Sequence, residues 1–229
     1  LWLAFRSLVN VRPPWPAPAE FLAAQNELLQ GLIAEAGVAT LADATPSPTD
    51  SRLRLWRGDI TTLAVDAIVN AANSDMTGCW APLHYCIDNA IHTFAGVQLR
   101  EACANLMAAQ GHPEPTAQAK VTDAYNLPAR YVIHTVGPIA DGRPTDTHRR
   151  QLTECYQACL DAVAGAGLAS IAFCCISTGV FGFPQAEASS IAVATVRRWL
   201  DEHPDASMTV VFNVFSETDE HLYRPLLGL

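Results

Sequence analysis

The sequence has no concentration of positive charge and no hydrophobic run long enough to cross a bilayer. Its 14 Lys and Arg are outnumbered by 23 Asp and Glu, and the formal net charge is −9. Binding of a nucleic-acid backbone relies on clustered cations, and the basic doublets Arg149–Arg150 and Arg197–Arg198 are isolated. Nucleic acid is therefore an unlikely partner. No stretch approaches the ~20 apolar residues of a membrane helix, so no membrane partner is expected.

The sequence also lacks a CxxC pair and the dense cysteine spacing of a small disulfide-stapled protein. Its seven cysteines are an odd number, in a chain of 229 residues that is long enough to bury a full core. These features predict a reducing, cytoplasmic location. The apolar segment 1–14 contains Arg6 and no small-residue cleavage site, which makes it a poor signal peptide.

Residues 1–50 differ in composition from the rest and are predicted to form a helical N-terminal extension and linker. The segment 13–18, "PPWPAP", is a rigid break. Apolar residues then recur at helical spacing over 19–37, and Gly37 is a plausible stop. The polar, Pro-rich segment 42–51 is typical of a linker. Two interpretations stay open for this extension: it packs on the main domain, residues 51–229, or it is functionally inert.

From Leu53 onward, short apolar segments alternate with amphipathic ones, which predicts an α/β fold with a sheet between helical layers. Several of the apolar runs are nearly continuous, as expected of strands that are buried on both faces. The candidate strands are 52–58, 67–72, 119–125, 131–136, 170–177 and 208–215, and the candidate helices are 86–109, 146–166, 184–203 and 218–227.

Polar or glycine-rich turns follow three of the predicted strands, where ligands bind in such sheets. They are "GDIT" (58–61), the segment 73–86, and "STGVFGFP" (177–184). In the last of these, Gly179 and Gly182 permit close approach of the backbone to a ligand, and Pro184 opens a helix. Backbone N–H groups and a helix N-terminus could hold a diphosphate here without Lys or Arg. An ordinary strand-to-helix loop is the alternative.

Four motifs in order resemble those of the macrodomains, a family of ADP-ribose-binding modules. They are "GDIT", "VDAIVNAAN" (65–73), "YVIHTVGP" (131–138) and "STGVFGFP", and the resemblance covers residues 53–227. It implies a three-layer α/β/α sandwich with a mixed central sheet. The glycine run of many macrodomain hydrolases is replaced by "TGCWAPLHYC" (77–86), whereas "IDNAIH" (87–92) is retained. This departure resembles the zinc-dependent branch of the family.

Cys79, His84 and Cys86 are the candidate metal ligands. Two thiolates and one imidazole can bind zinc, and three protein ligands with an open fourth position are typical of a catalytic site. The spacing alone leaves open whether this is a zinc site or a coincidence, and a Cys79–Cys86 disulfide is the competing interpretation. The resemblance implies Zn²⁺ as the cofactor.

The resemblance also assigns residues to the parts of ADP-ribose. Asp59 and Ile60 would contact adenine, Asn73 would bind the distal ribose, and Phe215 could stack on the base. The diphosphate loop comprises Thr178, Gly179, Val180, Phe181 and Gly182, and Phe181 would also cover the distal ribose. Ordinary structural roles compete for several of them: a helix cap for Asp59, a turn for Asn73 and core packing for Phe181.

Asn73 and Asp88 are the candidate catalytic residues. Asp88 could act as a general base, as a hydrogen-bond partner of His84, or as the first-turn acid of the next helix. The two remaining histidines of the motifs, His92 and His134, lie in apolar surroundings and are expected to be hydrogen-bonded structural residues.

The resulting functional prediction is a zinc-dependent hydrolase that removes mono-ADP-ribose from protein side chains, with an Asp or Glu carboxylate ester as the favoured linkage. One alternative is a non-catalytic ADP-ribose reader whose zinc is structural. A second is a hydrolase of free ADP-ribose derivatives. The resemblance further implies a sirtuin-type ADP-ribosyltransferase and a lipoyl-carrier protein as partners.

Overall fold

A seven-stranded mixed sheet forms the centre of the computed structural model, which describes residues 1–229. The strands of the chain are β1 (Ala39–Thr40), β2 (Thr45–Pro46), β3 (Leu53–Arg57), β4 (Leu63–Ala64), β5 (Ala67–Ala72), β6 (Ala119–Asp123), β7 (Tyr131–Val136), β8 (Ser170–Phe173) and β9 (Thr209–Val214). The order in the sheet is β2-β3-β9-β8-β5-β7-β6. The five inner strands run parallel, and the two edge strands pair antiparallel. A short parallel pair, β1 with β4, lies outside this sheet.

Seven helices pack around the sheet in two groups. They are α1 (Trp2–Val11), α2 (Ala19–Ala36), α3 (Ile87–Ala95), α4 (Val97–Gln110), α5 (Asp146–Gly165), α6 (Gln185–Glu202) and α7 (Glu217–Leu227). Helices α5, α6 and α7 pack side by side, whereas α3 packs on β5 with α4, α1 and α2 around it. Ile68 and Val69 of β5 point to opposite faces of the sheet and are both fully buried, so both faces are covered. The predicted fold class is confirmed.

Strands 67–72 and 131–136 coincide with their predicted bounds, and the other strands are shorter than predicted. The largest difference is β8, which ends at Phe173 instead of residue 177. Ser177 adopts a positive φ of 66°, so the chain has already turned away from the sheet at that point. Cys174 and Ile176, after the end of β8, remain buried, which explains why this segment resembles a strand in the sequence.

The single helix predicted over 86–109 is wrong, because the chain forms two helices separated at Gly96. Gly96 has φ of +99°, a conformation that side chains disfavour. A Cβ atom there would also lie 2.5 Å from Nε2 of Gln25. Asn126 Nδ2 donates to the carbonyl of Ala95 beside the break (2.9 Å). The interruption therefore depends on tertiary contacts as well as on the glycine.

The N-terminal 50 residues contain α1 and α2, and both helices contact α3. Helix α2 ends at Ala36 and is followed by Gly37 with φ of +90°, which fits the predicted stop. Part of the predicted linker is regular structure, since β2 joins the edge of the main sheet. The division of the chain at residue 50 stays a prediction. None of the helices combines the length and the apolar character that a bilayer crossing requires.

His134 and His92 are both buried, but only His134 has its ring nitrogens paired. His134 Nδ1 lies 3.1 Å from Asn70 Nδ2, and its Nε2 lies 2.9 Å from Thr122 Oγ1. Both ring nitrogens of His92 lack a hydrogen bond, although Nε2 is 3.5 Å from Asp88 Oδ1. Burial lowers the pKa of His134 to about 3. This histidine is therefore neutral in the folded protein over most of the pH range.

This burial makes stability dependent on pH. The unfolded chain protonates His134 near pH 6.5, whereas the folded chain does so only near pH 3. Acidification from pH 7 to pH 5 therefore favours unfolding, at about 1.4 kcal/mol per pH unit below 6.5. His134→Gln should reduce the loss of unfolding free energy over this interval by up to about 2 kcal/mol. Urea denaturation at both pH values measures it.

His221→Gln, at an exposed position of α7, is the control for the substitution itself. Equal losses of unfolding free energy in the wild type and in His134→Gln would contradict this interpretation.

Candidate functional site

The carboxyl ends of β3, β9, β8 and β5 lie along one edge of the sheet, because these neighbouring strands are parallel. Asp59, Asn73 and Phe215 each follow one of these strands within two residues, and the loop 177–182 follows β8. The chain is also tied together across this edge. Gly58 N donates to the carbonyl of Val214 (3.0 Å), and Asn213 Nδ2 donates to the carbonyl of Gly58 (2.9 Å). The fold therefore assembles the predicted binding residues at one edge.

Hydrogen bonds within the loop between β8 and α6, and from the neighbouring residue Ala140, fix the conformation of this loop. Gly182 N donates to the carbonyl of Gly179 (3.0 Å), and Ala140 N donates to the carbonyl of Phe181 (2.8 Å). Gly182 has φ of +64°, and a Cβ on it would lie 3.1 Å from the backbone nitrogen of Gly142. This glycine is required by the backbone itself, since a side chain would collide with the neighbouring loop.

Three successive backbone N–H groups of this loop, at Gly179, Val180 and Phe181, have no acceptor within the protein. Gly179 and Val180 are exposed, and a Cβ on Gly179 would meet nothing within 4 Å. Successive unpaired N–H groups form a concave binding site for anions, and the adjacent N-terminus of α6 adds a favourable dipole. The loop can therefore accept a phosphate-bearing ligand without a cationic side chain.

Asp59 caps the 3-10 turn Ile60–Thr62 and keeps one oxygen free. Its Oδ1 accepts from the backbone N of Thr61 (2.9 Å) and from Thr61 Oγ1 (2.7 Å), whereas Oδ2 has no protein partner. Asp59 is exposed and Ile60 is buried. Asp59 can therefore cap the 3-10 turn through Oδ1 and contact a ligand through Oδ2 at the same time. The side chain of Phe215 is 78% exposed beside this turn, as an apolar surface without a protein partner.

The structure brings the three predicted metal ligands together on the loop 73–86, which has no helix or strand. Their ligand atoms lie within 4.8 Å of one another, and Cys79 Sγ is 3.3 Å from His84 Nδ1. Both cysteines are free thiols, not a disulfide. A tetrahedral zinc with bonds of about 2.1–2.3 Å places its ligand atoms about 3.5 Å apart, so a small contraction of this loop would suffice.

The electrostatics of Cys86 fit a cation at this position. Burial, together with the nearby Cys79 and Asp88, raises the pKa of Cys86 to about 12. Two thiols next to a carboxylate cannot all ionise without a compensating positive charge. A divalent metal supplies that charge and ionises coordinating thiols. The residues present therefore fit zinc both in ligand type and in charge.

Asp88 lies in the first turn of α3 and is 5% exposed. Its Oδ1 accepts from Asn70 Nδ2 (2.8 Å) and its Oδ2 accepts from Asn73 Nδ2 (3.3 Å). Burial raises the pKa of Asp88 to about 6, against the opposing effects of Asn70 and Arg100. No hydrogen bond joins Asp88 to His84, so the structure does not support the predicted pairing of these two residues.

Asn73 links the end of β5 to the loop that carries the candidate metal ligands. Its Nδ2 donates to the carbonyl of Gly78 (3.1 Å) as well as to Asp88, and its Oδ1 accepts from the backbone N of Asp75 (3.0 Å). Its polar atoms are thus engaged within the protein. A ribose hydroxyl would have to share these bonds or replace one of them.

Several residues that shape the site were not predicted from the sequence. Asn70 holds Asp88, and it lies within the recognisable motif 65–73, so its polar side chain in a buried strand was a usable signal. Arg6 and Asn10 of α1 contact the loop 73–86 at His84 and Leu83. These partners lie 78 and 73 positions further along the chain, and no local pattern indicates the contacts.

The fold is an α/β module in which a loop with free backbone N–H groups lies at the carboxyl edge of the sheet, together with a cluster of side chains that could hold a metal ion. The profile of the family described as "Macro domain" matches residues 69–192, and the chain belongs to this family. A protein-ADP-ribose hydrolase of Treponema medium is 56% identical over 99% of this chain and 87% of its own length. One from Staphylococcus aureus (strain MRSA252) is 49% identical over 98% of this chain and 84% of its own length.

The solved structures agree with this assignment. The Trypanosoma brucei macrodomain in complex with ADP-ribose superposes with a TM-score of 0.75 at 32% identity, over 97% of this chain and 95% of the other. At this identity the likeness extends beyond the general fold.

The open space at Gly179 gives a direct test of the anion-binding loop. Gly179→Val should leave the melting temperature nearly unchanged, because Gly179 is exposed and a Cβ there has no protein atom within 4 Å. It should weaken binding of ADP-ribose by at least about tenfold, since it fills the space beside the free N–H groups. Calorimetric titration and thermal denaturation measure the two effects.

The matched control is Gly165→Val, in the last turn of α5, where a Cβ also meets nothing within 4 Å. It should retain binding of ADP-ribose. Unchanged affinity in Gly179→Val would show that the ligand lies elsewhere.

Proposed function

We propose that this protein is a zinc-dependent hydrolase that removes mono-ADP-ribose from modified protein side chains. The observation that carries the proposal is the convergence of Cys79, His84 and Cys86 on a loop that Asn73 joins to the binding edge of the sheet. The names of the Treponema and Staphylococcus relatives, over nearly the full chain, support hydrolysis of protein-linked ADP-ribose. Zinc dependence and the ester linkage are this proposal's own additions.

In this proposal the ligand lies across the carboxyl ends of the parallel strands. The free N–H groups of Gly179, Val180 and Phe181 bind the diphosphate, with Thr178 and Gly182 at the ends of the loop. The free Oδ2 of Asp59 accepts from the adenine amine while Ile60 lines the pocket. Phe215 covers the base with its exposed ring. The distal ribose then points towards Asn73.

Cys79, His84 and Cys86 would hold the zinc, with Nδ1 as the imidazole donor atom. When bound, zinc supplies a Lewis acid that polarises an oxygen atom and lowers the pKa of water. The chain's own contribution is to place this centre next to Asn73, through the bond from its Nδ2 to the carbonyl of Gly78. The product is free ADP-ribose and an unmodified side chain.

Asp88 is the proposed proton acceptor. With its pKa raised to about 6 it is largely ionised at neutral pH, yet basic enough to take a proton from water. Its Oδ2 is the proposed site of that proton, because its bond to Asn73 is the longer of its two amide contacts. Asn73 orients the ribose once its side chain exchanges a loop contact for a hydroxyl group.

The linkage and the partners are the finest parts of the proposal. An ester to Asp or Glu is the favoured substrate, because its carbonyl oxygen and good leaving group suit a Lewis acid. A sirtuin-type ADP-ribosyltransferase and a lipoyl-carrier protein stay as the partners that the family resemblance implies. The cytoplasmic location likewise stays a prediction.

A non-catalytic ADP-ribose reader is the second candidate, and one observation favours it. Asp88 is nearly inaccessible and both Asn73 polar groups are engaged, so the centre could be purely structural. The third candidate, a hydrolase of free ADP-ribose derivatives, would release AMP or ribose phosphate. Incubation of a carboxylate-linked mono-ADP-ribosylated protein with and without a strong chelator separates the three. Loss of the label only in the metal-replete sample supports the proposal.

Cys86→Ala should lose zinc and turnover together. Removing one of three ligands abolishes tight binding, and the lost Lewis acid is worth several kcal/mol, or about 100-fold or more in rate. Elemental analysis and a de-ADP-ribosylation assay measure the two effects. Cys159→Ala, a core substitution in α5, is the control that should keep both. Full turnover in Cys86→Ala would exclude a chemical role for the metal.

Asp59→Asn should weaken ADP-ribose binding about tenfold to 100-fold while the zinc content stays at the wild-type level. Asn retains the cap through its own carbonyl oxygen, but it presents an amide group where a charged acceptor stood. Titration calorimetry measures the affinity. An affinity equal to that of the wild type would show that Asp59 acts only as the cap of the 3-10 turn.

A further inference from the structure

We propose that α1 contributes to the proposed zinc site. Arg6 and Asn10 act as positioning residues that fix the conformation of the loop carrying His84. This inference rests on the proposed zinc site and deepens it. It also gives the N-terminal extension a role for which composition provides no signal. The loop between β5 and α3 contains no helix or strand, so its conformation must come from contacts with other elements.

Asn10 fixes the residue immediately before the histidine. Its Oδ1 accepts from the backbone N of Leu83 (2.9 Å), and its Nδ2 donates to Thr93 Oγ1 of α3 (3.0 Å). Asn10 is 2% exposed, so water cannot replace these bonds. Leu83 adopts φ of +60°, which is unfavourable for a residue with a branched side chain. The hydrogen bond from the backbone N of Leu83 to Asn10 Oδ1 thus stabilises an unfavourable backbone conformation next to His84.

Arg6 holds the histidine from the other side. Its Nη2 donates to the backbone carbonyl of His84 itself (3.0 Å) and to Asn89 Oδ1 (3.2 Å). Asn89 contacts the loop at two further points. Its Nδ2 donates to the carbonyl of Ala81 (3.1 Å), and its backbone N donates to Cys86 Sγ (3.4 Å). One guanidinium therefore links the backbone of one candidate ligand, His84, to Asn89, whose backbone N–H donates to the sulfur of another, Cys86.

A third contact connects the same helix to the Cys79 side of the loop. Arg100 of α4 donates to the carbonyls of Val9 (3.1 Å) and Arg12 (2.8 Å) at the end of α1. Its guanidinium also lies over the ring of Trp80, 4.3 Å from the centroid, directly after Cys79. Both ends of the loop are thus connected to α1. The His84 end is hydrogen-bonded directly to Arg6 and Asn10, and the Cys79 end is connected through Arg100.

Residues that hold metal ligands in place typically contribute about 10–100-fold to metal affinity. Arg6→Ala and Asn10→Ala should therefore speed release of zinc to a chromophoric chelator by about tenfold or more. They should change the affinity for free ADP-ribose less than about twofold, because the anion-binding loop does not contact α1. Neither measurement depends on turnover.

Arg12→Ala is the matched control. It removes the same charge immediately after the end of α1, but its side chain donates to the backbone carbonyls of Pro13 and Pro16, lies near Phe21 and makes no hydrogen bond to the loop 73–86. Zinc release from this variant should match that of the wild type. Amide hydrogen exchange of the metal-free proteins is a second readout: the Leu83 amide should exchange faster in Asn10→Ala, and the segment 81–86 should do so in Arg6→Ala.

The outcomes distinguish this inference from the proposed function. Wild-type protein that binds no zinc refutes the proposed function and this inference with it. If the wild-type protein is zinc-dependent, but Arg6→Ala and Asn10→Ala leave the rate of zinc release and the amide exchange of the loop unchanged, this inference alone is refuted. Equal acceleration in Arg12→Ala also refutes it, because the effect would then reflect general loosening of α1. A variant-specific acceleration with unchanged ADP-ribose affinity supports it.

Discussion

The hydrogen bond from Asn70 to the carboxylate of Asp88 is the interaction on which the geometry of the site depends. It is 2.8 Å long, buried, and joins the inner strand β5 to the first turn of α3. A carboxylate taken out of water is costly unless hydrogen bonds satisfy it, and those bonds come from Asn70 in β5 and from Asn73 directly after that strand. The position of α3, and with it of Cys86, is therefore tied to the sheet.

Asn70 is itself held from behind by His134 of β7, which in turn contacts Thr122 of β6. The polar groups form a chain across three neighbouring strands, in a sheet whose buried side chains are mostly apolar. Such a chain is favourable when its members are paired, and it specifies one arrangement of the strands because any shift in register would leave buried groups unpaired. The chain continues through Asp88 to Asn73 and so reaches the loop that bears Cys79, His84 and Cys86.

Much of this structure was predictable because it follows from local chemistry. The runs "AIVNAA" and "YVIHTV" are mostly apolar over the length of a strand and are followed by Asn73 and by Gly137–Pro138, so their bounds are evident. Parallel strands place their carboxyl ends at one edge, so Asp59, Asn73 and Gly179 could be expected near one another. The three candidate metal ligands, Cys79, His84 and Cys86, lie within eight positions, and a loop that short keeps their side chains close together.

The remainder depends on contacts that sequence proximity does not encode. The break at Gly96 is stabilised by Gln25 and Asn126, which lie in other parts of the chain. The early end of β8 follows from a left-handed residue at Ser177 inside a run that is apolar in the sequence. The hydrogen bonds of both polar groups of Asn73 within its own loop could not be predicted either, because the sequence does not distinguish an asparagine with free polar groups from one with paired groups.

The docking of α1 against α3 has a consequence for the order of events during synthesis. The first helix leaves the ribosome long before its partners, since Arg6 and His84 are separated by 78 positions. Contacts between such distant positions incur a large loop-closure entropy and form late. A nascent chain would therefore carry an unpaired, partly apolar helix through much of its translation. Trp2, whose ring packs on Phe94 of α3 in the folded protein (ring centroids 5.5 Å apart), would stay uncovered until the domain closes, and chaperones bind such transiently exposed apolar surface.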